Sequence, residues 1–142
     1  MKRSQIDGVF IRAHGHDPRL VVKRKITPFQ DQYDIYRPWS KIDIVKKLVN
    51  LLDEEFDFFL NRFEEVDSEE HKNSSHRIRR YISRNKQDLF PNKDEEFQES
   101  HCFEYKNYWV GTNIGAKEIS LYVREMCLAC NISFGSITEL SI

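Results

Sequence analysis

Residues 77–86 hold five basic side chains and no acidic one. These side chains are Arg77, Arg79, Arg80, Arg84 and Lys86. Guanidinium groups match the geometry of phosphate oxygens, and neutralising a nucleic-acid backbone releases its condensed counterions. The segment therefore predicts a surface that binds nucleic-acid phosphates. The alternative is a charged strand that neutralises the acidic residues of 53–70.

A second segment, residues 108–117, has the pattern of a strand that ends in a polar loop and leads into a helix. The loop would present the side chains of Thr112 and Asn113 beside free backbone N–H groups, which favour phosphate oxygens. An asparagine side chain can also donate to and accept from the major-groove edge of adenine. The same pattern is typical of an ordinary helix cap.

The sequences RIRRY at 77–81 and YWVGTN at 108–113, with a predicted helix before and after them, resemble the C-terminal DNA-binding domain of the SeqA family. Proteins of this family are negative modulators of replication initiation, and the resemblance covers about residues 41–131. It implies an α+β fold that binds double-stranded DNA in the major groove, at GATC sites methylated on one strand. It also implies that Arg77 and Arg79 hold phosphates and that Asn113 contacts base edges.

We expect further residues near these positions to contact DNA. Arg80, Arg84 and Lys86 join the phosphate-binding set, as does Lys117 by its position in the chain, and Thr112 lies beside Asn113 as a base-reading residue. The family has a second asparagine where this chain has Gly115, and a small polar residue where it has Ile78. The target sequence and the role of methylation therefore stay open.

Other chemistry-bearing residues give weaker patterns. Cys127 and Cys130 form a CxxC spacing, but they keep helical register with Ile119, Val123 and Met126, which favours two core residues. A zinc site would need further ligands, and by residue type His14 and His16 could supply them. No nucleophile or phosphate-loop motif occurs, so we predict no catalytic residue, resident metal or cofactor. The alternatives are a histidine- or metal-dependent nuclease, using His76 or His101, and an immunity- or antitoxin-type interaction module.

The formal net charge is −1 over 142 residues, but basic and acidic side chains are unevenly distributed along the chain. Residues 1–47 carry 11 basic and 5 acidic side chains, residues 48–75 carry 2 and 9, and residues 76–142 carry 9 of each. No apolar run approaches the roughly 18 residues of a membrane span, and no secretory signal is visible. Three cysteines without a disulfide-framework spacing fit a reducing compartment. We expect a cytoplasmic, nucleoid-associated protein.

The predicted architecture is α+β, a small antiparallel sheet packed by two main amphipathic helices, with an N-terminal β-hairpin or arm over 1–40 and a SeqA-like unit over 41–142. Ser40 is the expected N-cap of a helix near 41–65, and a second helix starts near Ala116. An irregular arm is expected between Pro28 and Pro38, a loop over 93–100, and a tight hairpin around Lys106 and Asn107. The expected partner is double-stranded DNA. A homodimer or partner protein would use the arm or the acidic face 53–70.

Overall fold

Two small sheets and four helices make up the part of the chain that this computed structural model describes, which is residues 4–12, 18–73, 80–112, 115 and 118–140. The strands are β1 (Ile6–Arg12), β2 (Arg19–Thr27), β3 (Gln30–Tyr36), β4 (Ile82–Ser83), β5 (Cys102–Tyr105), β6 (Tyr108–Gly111) and β7 (Ser133–Ser136). The helices are α1 (Lys41–Glu55), α2 (Phe59–Asn73), α3 (Glu95–Ser100) and α4 (Glu118–Cys130). The α+β class is confirmed.

The first sheet has the strand order β3-β2-β1-β7, and it joins the N-terminal strands to the C-terminal strand β7. The predicted hairpin is confirmed, because β1 and β2 pair antiparallel with Val9 opposite Val22. The irregular arm expected between Pro28 and Pro38 is wrong. Its central residues form β3, which pairs antiparallel with β2, while β7 runs parallel to β1, so the sheet is mixed.

The single helix predicted near 41–65 is also wrong, because the chain breaks between α1 and α2. Ser40 does cap α1, where its Oγ accepts a hydrogen bond of 3.3 Å from the N–H of Asp43. At the break, Phe58 has a φ of 63° and its side chain is exposed. The apolar spacing runs on through the break because both helices bury their apolar faces in one core. The pattern of residue types alone could not show where the first helix ends.

The second sheet has the order β4-β6-β5 and is antiparallel throughout. Its hairpin turns at Lys106 and Asn107, whose φ angles of 46° and 72° confirm the tight turn expected there. The predicted loop over 93–100 is wrong, since it contains α3. Asp94 begins this helix by accepting a hydrogen bond of 2.8 Å from the N–H of Phe97, an N-cap signal.

The core lies where α1, α2 and α4 pack together and against both sheets. Its largest fully buried side chains come from all of these layers and include Tyr81, Tyr122, Phe59, Phe63, Leu20 and Leu48. Helix α4 begins at Glu118, close to the expected start, and buries its face around Ile119 and Met126. Among the described residues, no helix combines the length and the apolar character that crossing a bilayer requires.

Candidate nucleic-acid interface

The two segments that carry the predicted site are described only in part. Arg77, Arg79, Asn113 and Lys117 lie outside the described residues, as do His14, His16 and His76. The structure describes Arg80, Arg84, Lys86 and Thr112, together with the strands that carry them. Residues 80–86 and 108–112 are called the basic segment and the aromatic segment below.

The basic and aromatic segments lie side by side. Strand β4 pairs with β6, so Ile82 is opposite Val110 and Ser83 is opposite Trp109. One residue further out, the N–H of Gly111 donates a hydrogen bond of 2.9 Å to the carbonyl oxygen of Tyr81. Two segments more than 20 residues apart in sequence are therefore held together by main-chain pairing.

Buried side chains of the core hold both segments in place. The Tyr81 ring stacks on the Tyr122 ring with 3.8 Å between the centroids, and the Tyr122 hydroxyl donates a hydrogen bond of 2.8 Å to the carbonyl of Gly111. A β-carbon at Gly111 would lie 3.0 Å from that hydroxyl, a tight contact that the tyrosine could relieve only by moving. Both tyrosines have essentially no exposed surface. The tyrosine pair thus links the ends of both segments to α4.

Asp67 of α2 holds the start of the basic segment. Its carboxylate is fully buried and accepts hydrogen bonds from the N–H groups of Tyr81 and Ile82, at 2.8 and 3.1 Å. A buried carboxylate satisfied by main-chain donors orients the groups that it binds. Asp67 therefore fixes the direction in which the basic segment leaves the core.

Arg80 is engaged within the chain. Its guanidinium group donates to the carbonyl of Ile82 at 3.1 Å and lies 3.6 Å from Glu64, 3.9 Å from Asp67 and 3.6 Å from Asp88. The side chain is about one-fifth exposed, at 21%. For this one residue the contacts match the alternative stated above, in which the basic residues neutralise acidic ones. In the structure Arg80 ties the basic segment to α2.

Arg84 and Lys86 lie against the aromatic segment. The guanidinium of Arg84 donates a hydrogen bond of 2.9 Å to the hydroxyl of Tyr108, and this bond raises the pKa of Arg84. The ammonium of Lys86 lies 5.3 Å from the centre of the Trp109 ring, a cation–π distance. Arg84 with Tyr108 and Lys86 with Trp109 thus form two cation–aromatic pairs, and because successive residues of a strand point to opposite faces, Tyr108 and Trp109 lie on opposite faces of the second sheet.

Two carboxylates lie beside Lys86. The ammonium of Lys86 is 3.1 Å from Glu99 and 4.0 Å from Glu95, whose side chains are 59% and 80% exposed. Exposed ion pairs of this kind contribute about 0–1 kcal/mol, because water screens the charges. Lys86 can therefore exchange these carboxylates for another anion at small cost.

Thr112 and Gly115, the described residues nearest to Asn113 on either side in the chain, both form main-chain hydrogen bonds. The N–H of Thr112, a half-buried residue, donates a hydrogen bond of 2.7 Å to the carbonyl of His101. On the other side, the carbonyl of Gly115 accepts from the N–H groups of Glu118 and Ile119, at 3.1 and 3.3 Å, where α4 begins. Thr112 thus directly follows β6, and Gly115 bonds to the first turn of α4.

Two other charged regions, the basic residues of β2 and the acidic face 53–70, form ion pairs within the chain. In the basic cluster of β2, Arg24 forms hydrogen bonds of 2.7 Å with Asp34 and with Glu55. On the acidic face 53–70, Asp53 accepts from Lys106 at 2.7 Å and from the hydroxyl of Tyr105 at 3.1 Å. These charges stabilise contacts within the chain.

The cysteine pair lies in the core, as the helical register predicts. Cys127 and Cys130 are buried in α4, and burial raises the pKa of both thiols, for Cys130 to about 12. Within the described ranges, no group of three or more histidine, cysteine and acidic side chains is arranged to hold a metal ion. His101 stacks on Phe97, with 3.9 Å between the ring centroids, and its Nδ1 lies 2.8 Å from the carbonyl of Phe97.

Asp67, Tyr122 and Gly111 are the residues of this region that reasoning from the sequence missed. A signal for Asp67 is present, since it follows Phe59 and Phe63 at intervals of four residues along α2. A carboxylate on the apolar stripe of a helix indicates a buried acceptor. Comparison with protein-family models, with curated proteins and with solved structures finds no match to this chain.

Proposed function

We propose that this protein binds double-stranded DNA, without catalysis, through one surface made by the basic segment, the aromatic segment and the residues that flank them. The observation that carries the proposal is the main-chain pairing between Tyr81 and Gly111. It brings together the neighbourhoods of the two sequence patterns that resemble the SeqA family. A duplex-binding surface needs such a combination, because phosphate contacts position a protein and base contacts specify the site.

The cations Arg84 and Lys86, paired with Tyr108 and Trp109 respectively, support phosphate binding. Arg84 is exposed and keeps its charge, and Lys86 is held by exposed carboxylates that a phosphate can replace. Phosphate neutralisation supplies a sequence-independent affinity that falls steeply with added salt. Arg77 and Arg79 immediately precede the basic segment in the chain, and in the proposal they extend its set of cations.

The resemblance supplies the proposed role of Asn113, and the roles of Thr112 and Lys117 follow from their positions in the chain. Asn113 contacts base edges in the major groove, Thr112 supports it from the end of β6, and Lys117 approaches the backbone. Arg80 has a different role from the one expected, because its contacts with Glu64, Asp67 and Asp88 make it a support beneath the surface. A SeqA-like fold over about residues 41–131 and association with the nucleoid belong to the same proposal.

The experiment that tests the proposal is fluorescence anisotropy with labelled duplex DNA at two salt concentrations. Replacing Arg84 and Lys86 together with alanine should weaken binding about tenfold, equivalent to roughly 1.4 kcal/mol. The slope of log affinity against log salt should fall by about 2. A control replaces Lys25 and Arg124, two exposed cations outside both segments, at 50% and 45%.

The control separates a specific surface from general charge. If the Lys25 and Arg124 double variant loses as much affinity as the Arg84 and Lys86 double variant, DNA is attracted only by overall charge. Absence of duplex binding by the unaltered chain at low salt would reject the proposal outright.

A further inference from the structure

Strand β3 is the longest open edge in the described structure. It has seven residues, lies at the end of the order β3-β2-β1-β7, and no described strand pairs with its outer side. At the opposite edge, β7 has only four residues. In the second sheet, the edge strands β4 and β5 have only two and four residues.

The edge has few of the features that usually keep sheet edges apart. Natural edge strands are protected by lysines, prolines or bulges; residues 30–36 contain no lysine and no proline, and the one irregularity in the pairing with β2 lies at its end, between Lys25 and Thr27. The two carboxylates of β3 are compensated by the neighbouring strand. Asp34 pairs with Arg24 at 2.7 Å, and Asp31 lies 3.9 Å from the ammonium groups of both Lys23 and Lys25.

Exposed apolar side chains lie along the same edge and at both of its ends. Ile35 within the strand is 52% exposed. Phe29, next to the first residue of the strand, is 99% exposed, and Trp39, three residues after its end, is 95% exposed. Large aromatic rings in full contact with water are unfavourable and are typical of surfaces that bind another protein.

We propose that two copies of this chain pair antiparallel through β3, with a two-fold axis at Tyr33, to form one continuous eight-stranded sheet. A two-fold axis perpendicular to the sheet places residues of the same face opposite each other. Centred on Tyr33, it pairs all seven residues of β3 with those of the second copy. Asp31 is then opposite Ile35, and Gln32 is opposite Asp34.

Charge selects this register over its neighbours. An axis at Asp31 or at Asp34 would place two identical carboxylates directly opposite each other, which destabilises a strand pair. An axis at Gln32 would leave the last two residues of β3 without a partner in β3 of the second copy. The Tyr33 register also brings Phe29 of one copy toward Arg37 and Trp39 of the other, so that both aromatic rings leave water.

The first test measures the molecular mass of the full chain by sedimentation equilibrium. The unaltered chain should be a dimer. Tyr33→Lys and Tyr33→Glu should each raise the dissociation constant at least about tenfold, because like charges then meet at the axis. Mixing the two variants should restore the dimer. Leu128→Lys, a change at an exposed apolar residue of α4, is the control that should stay dimeric.

The second test determines the register by oxidative cross-linking in a Cys102→Ser background. Directly opposed residues of antiparallel strands have α-carbons about 4.5–5.5 Å apart, within the range of a disulfide. Tyr33→Cys should cross-link with itself. Asp31→Cys should not cross-link with itself but should do so when mixed with Ile35→Cys.

Three results would overturn the pairing. They are a monomeric unaltered chain at the highest concentration measured, a dimer that survives Tyr33→Lys in a variant with unchanged circular dichroism, and self-cross-linking of Asp31→Cys in place of Tyr33→Cys. None of these outcomes depends on whether the chain binds DNA, so dimerisation and DNA binding can fail separately.

Discussion

The N–H of Gly111 donates its hydrogen bond to the carbonyl oxygen of Tyr81 at a distance of 2.9 Å. The hydroxyl of Tyr122 binds the carbonyl of the same glycine, and its ring stacks on Tyr81. These contacts form a closed arrangement in which one tyrosine pair holds the ends of both segments. Any change that separates Gly111 from Tyr81 should therefore disturb the basic and aromatic segments together.

Asp67→Asn should destabilise the fold by about 2–3 kcal/mol. The substitution removes the negative charge of the buried carboxylate. This carboxylate accepts hydrogen bonds from the N–H groups of Tyr81 and Ile82 and lies 3.9 Å from the guanidinium of Arg80. The free energy of unfolding, measured by urea denaturation, checks this value. Glu69→Gln, on an exposed position of the same helix, should change it by less than about 0.5 kcal/mol. Equal effects of both substitutions would show that Asp67 is not an anchor.

Gly111→Ala should also be destabilising, by about 1–3 kcal/mol, because the new methyl group meets the Tyr122 hydroxyl at 3.0 Å. The matched change Gly115→Ala places its methyl 3.4 Å from a movable Glu118 carboxylate, an ordinary contact, and should be nearly neutral. Thermal unfolding of the two variants distinguishes them. A neutral Gly111→Ala would mean that the tyrosine can move away without cost.

Stability should fall as the pH rises above 9, in part because of Cys130. Burial raises the pKa of its thiol to about 12 in the folded chain, whereas the ordinary value is 9.0. Folding therefore favours the protonated thiol, and this contribution is complete below pH 9 and is lost as the pH approaches 12. The unfolding free energy of the unaltered chain should fall more steeply than that of Cys130→Ala, by up to about 1.4 kcal/mol per pH unit. Parallel curves would contradict the assignment.

Asn113→Ala should reduce discrimination between DNA sequences. If Asn113 makes a two-point contact with a base, its loss should cost about 1–3 kcal/mol on the preferred site and little on others. Selection from a randomised duplex library, with and without adenine methylation, identifies the preferred site, and anisotropy then gives the affinity ratio. The salt dependence should stay the same. Uniform weakening on all sequences would assign Asn113 to the backbone instead.

Local sequence patterns predicted those parts of the fold whose signals are local. The Ser40 cap, the turn at Lys106 and Asn107, and the burial of Cys127 and Cys130 each depend on residue types within a few positions. The break between α1 and α2 was missed because no glycine or proline marks it. The strand β3 was missed because its partner, β2, decides its structure, and its own residues are mostly polar.

In the candidate site, too, the sequence predicts features that depend on neighbouring residues but not those that depend on distant ones. The adjacency of the two segments depends on pairing between β4 and β6, and the two residues of β4 are too few to give a periodic signal. The internal ion pairs of Arg80 could not be predicted, since a run of arginines does not reveal which carboxylates fold against it. Asp67 alone carried a usable signal, as a charge on an apolar helical stripe.

The most direct test of the central claim is a titration of the ¹⁵N-labelled full chain with a short DNA duplex, followed by amide chemical shifts. The account predicts that resonances of residues 77–86 and 108–117 change together, with one common affinity, while those of β1 to β3 stay in place. Changes confined to one of the two segments, or centred on the N-terminal sheet, would contradict it.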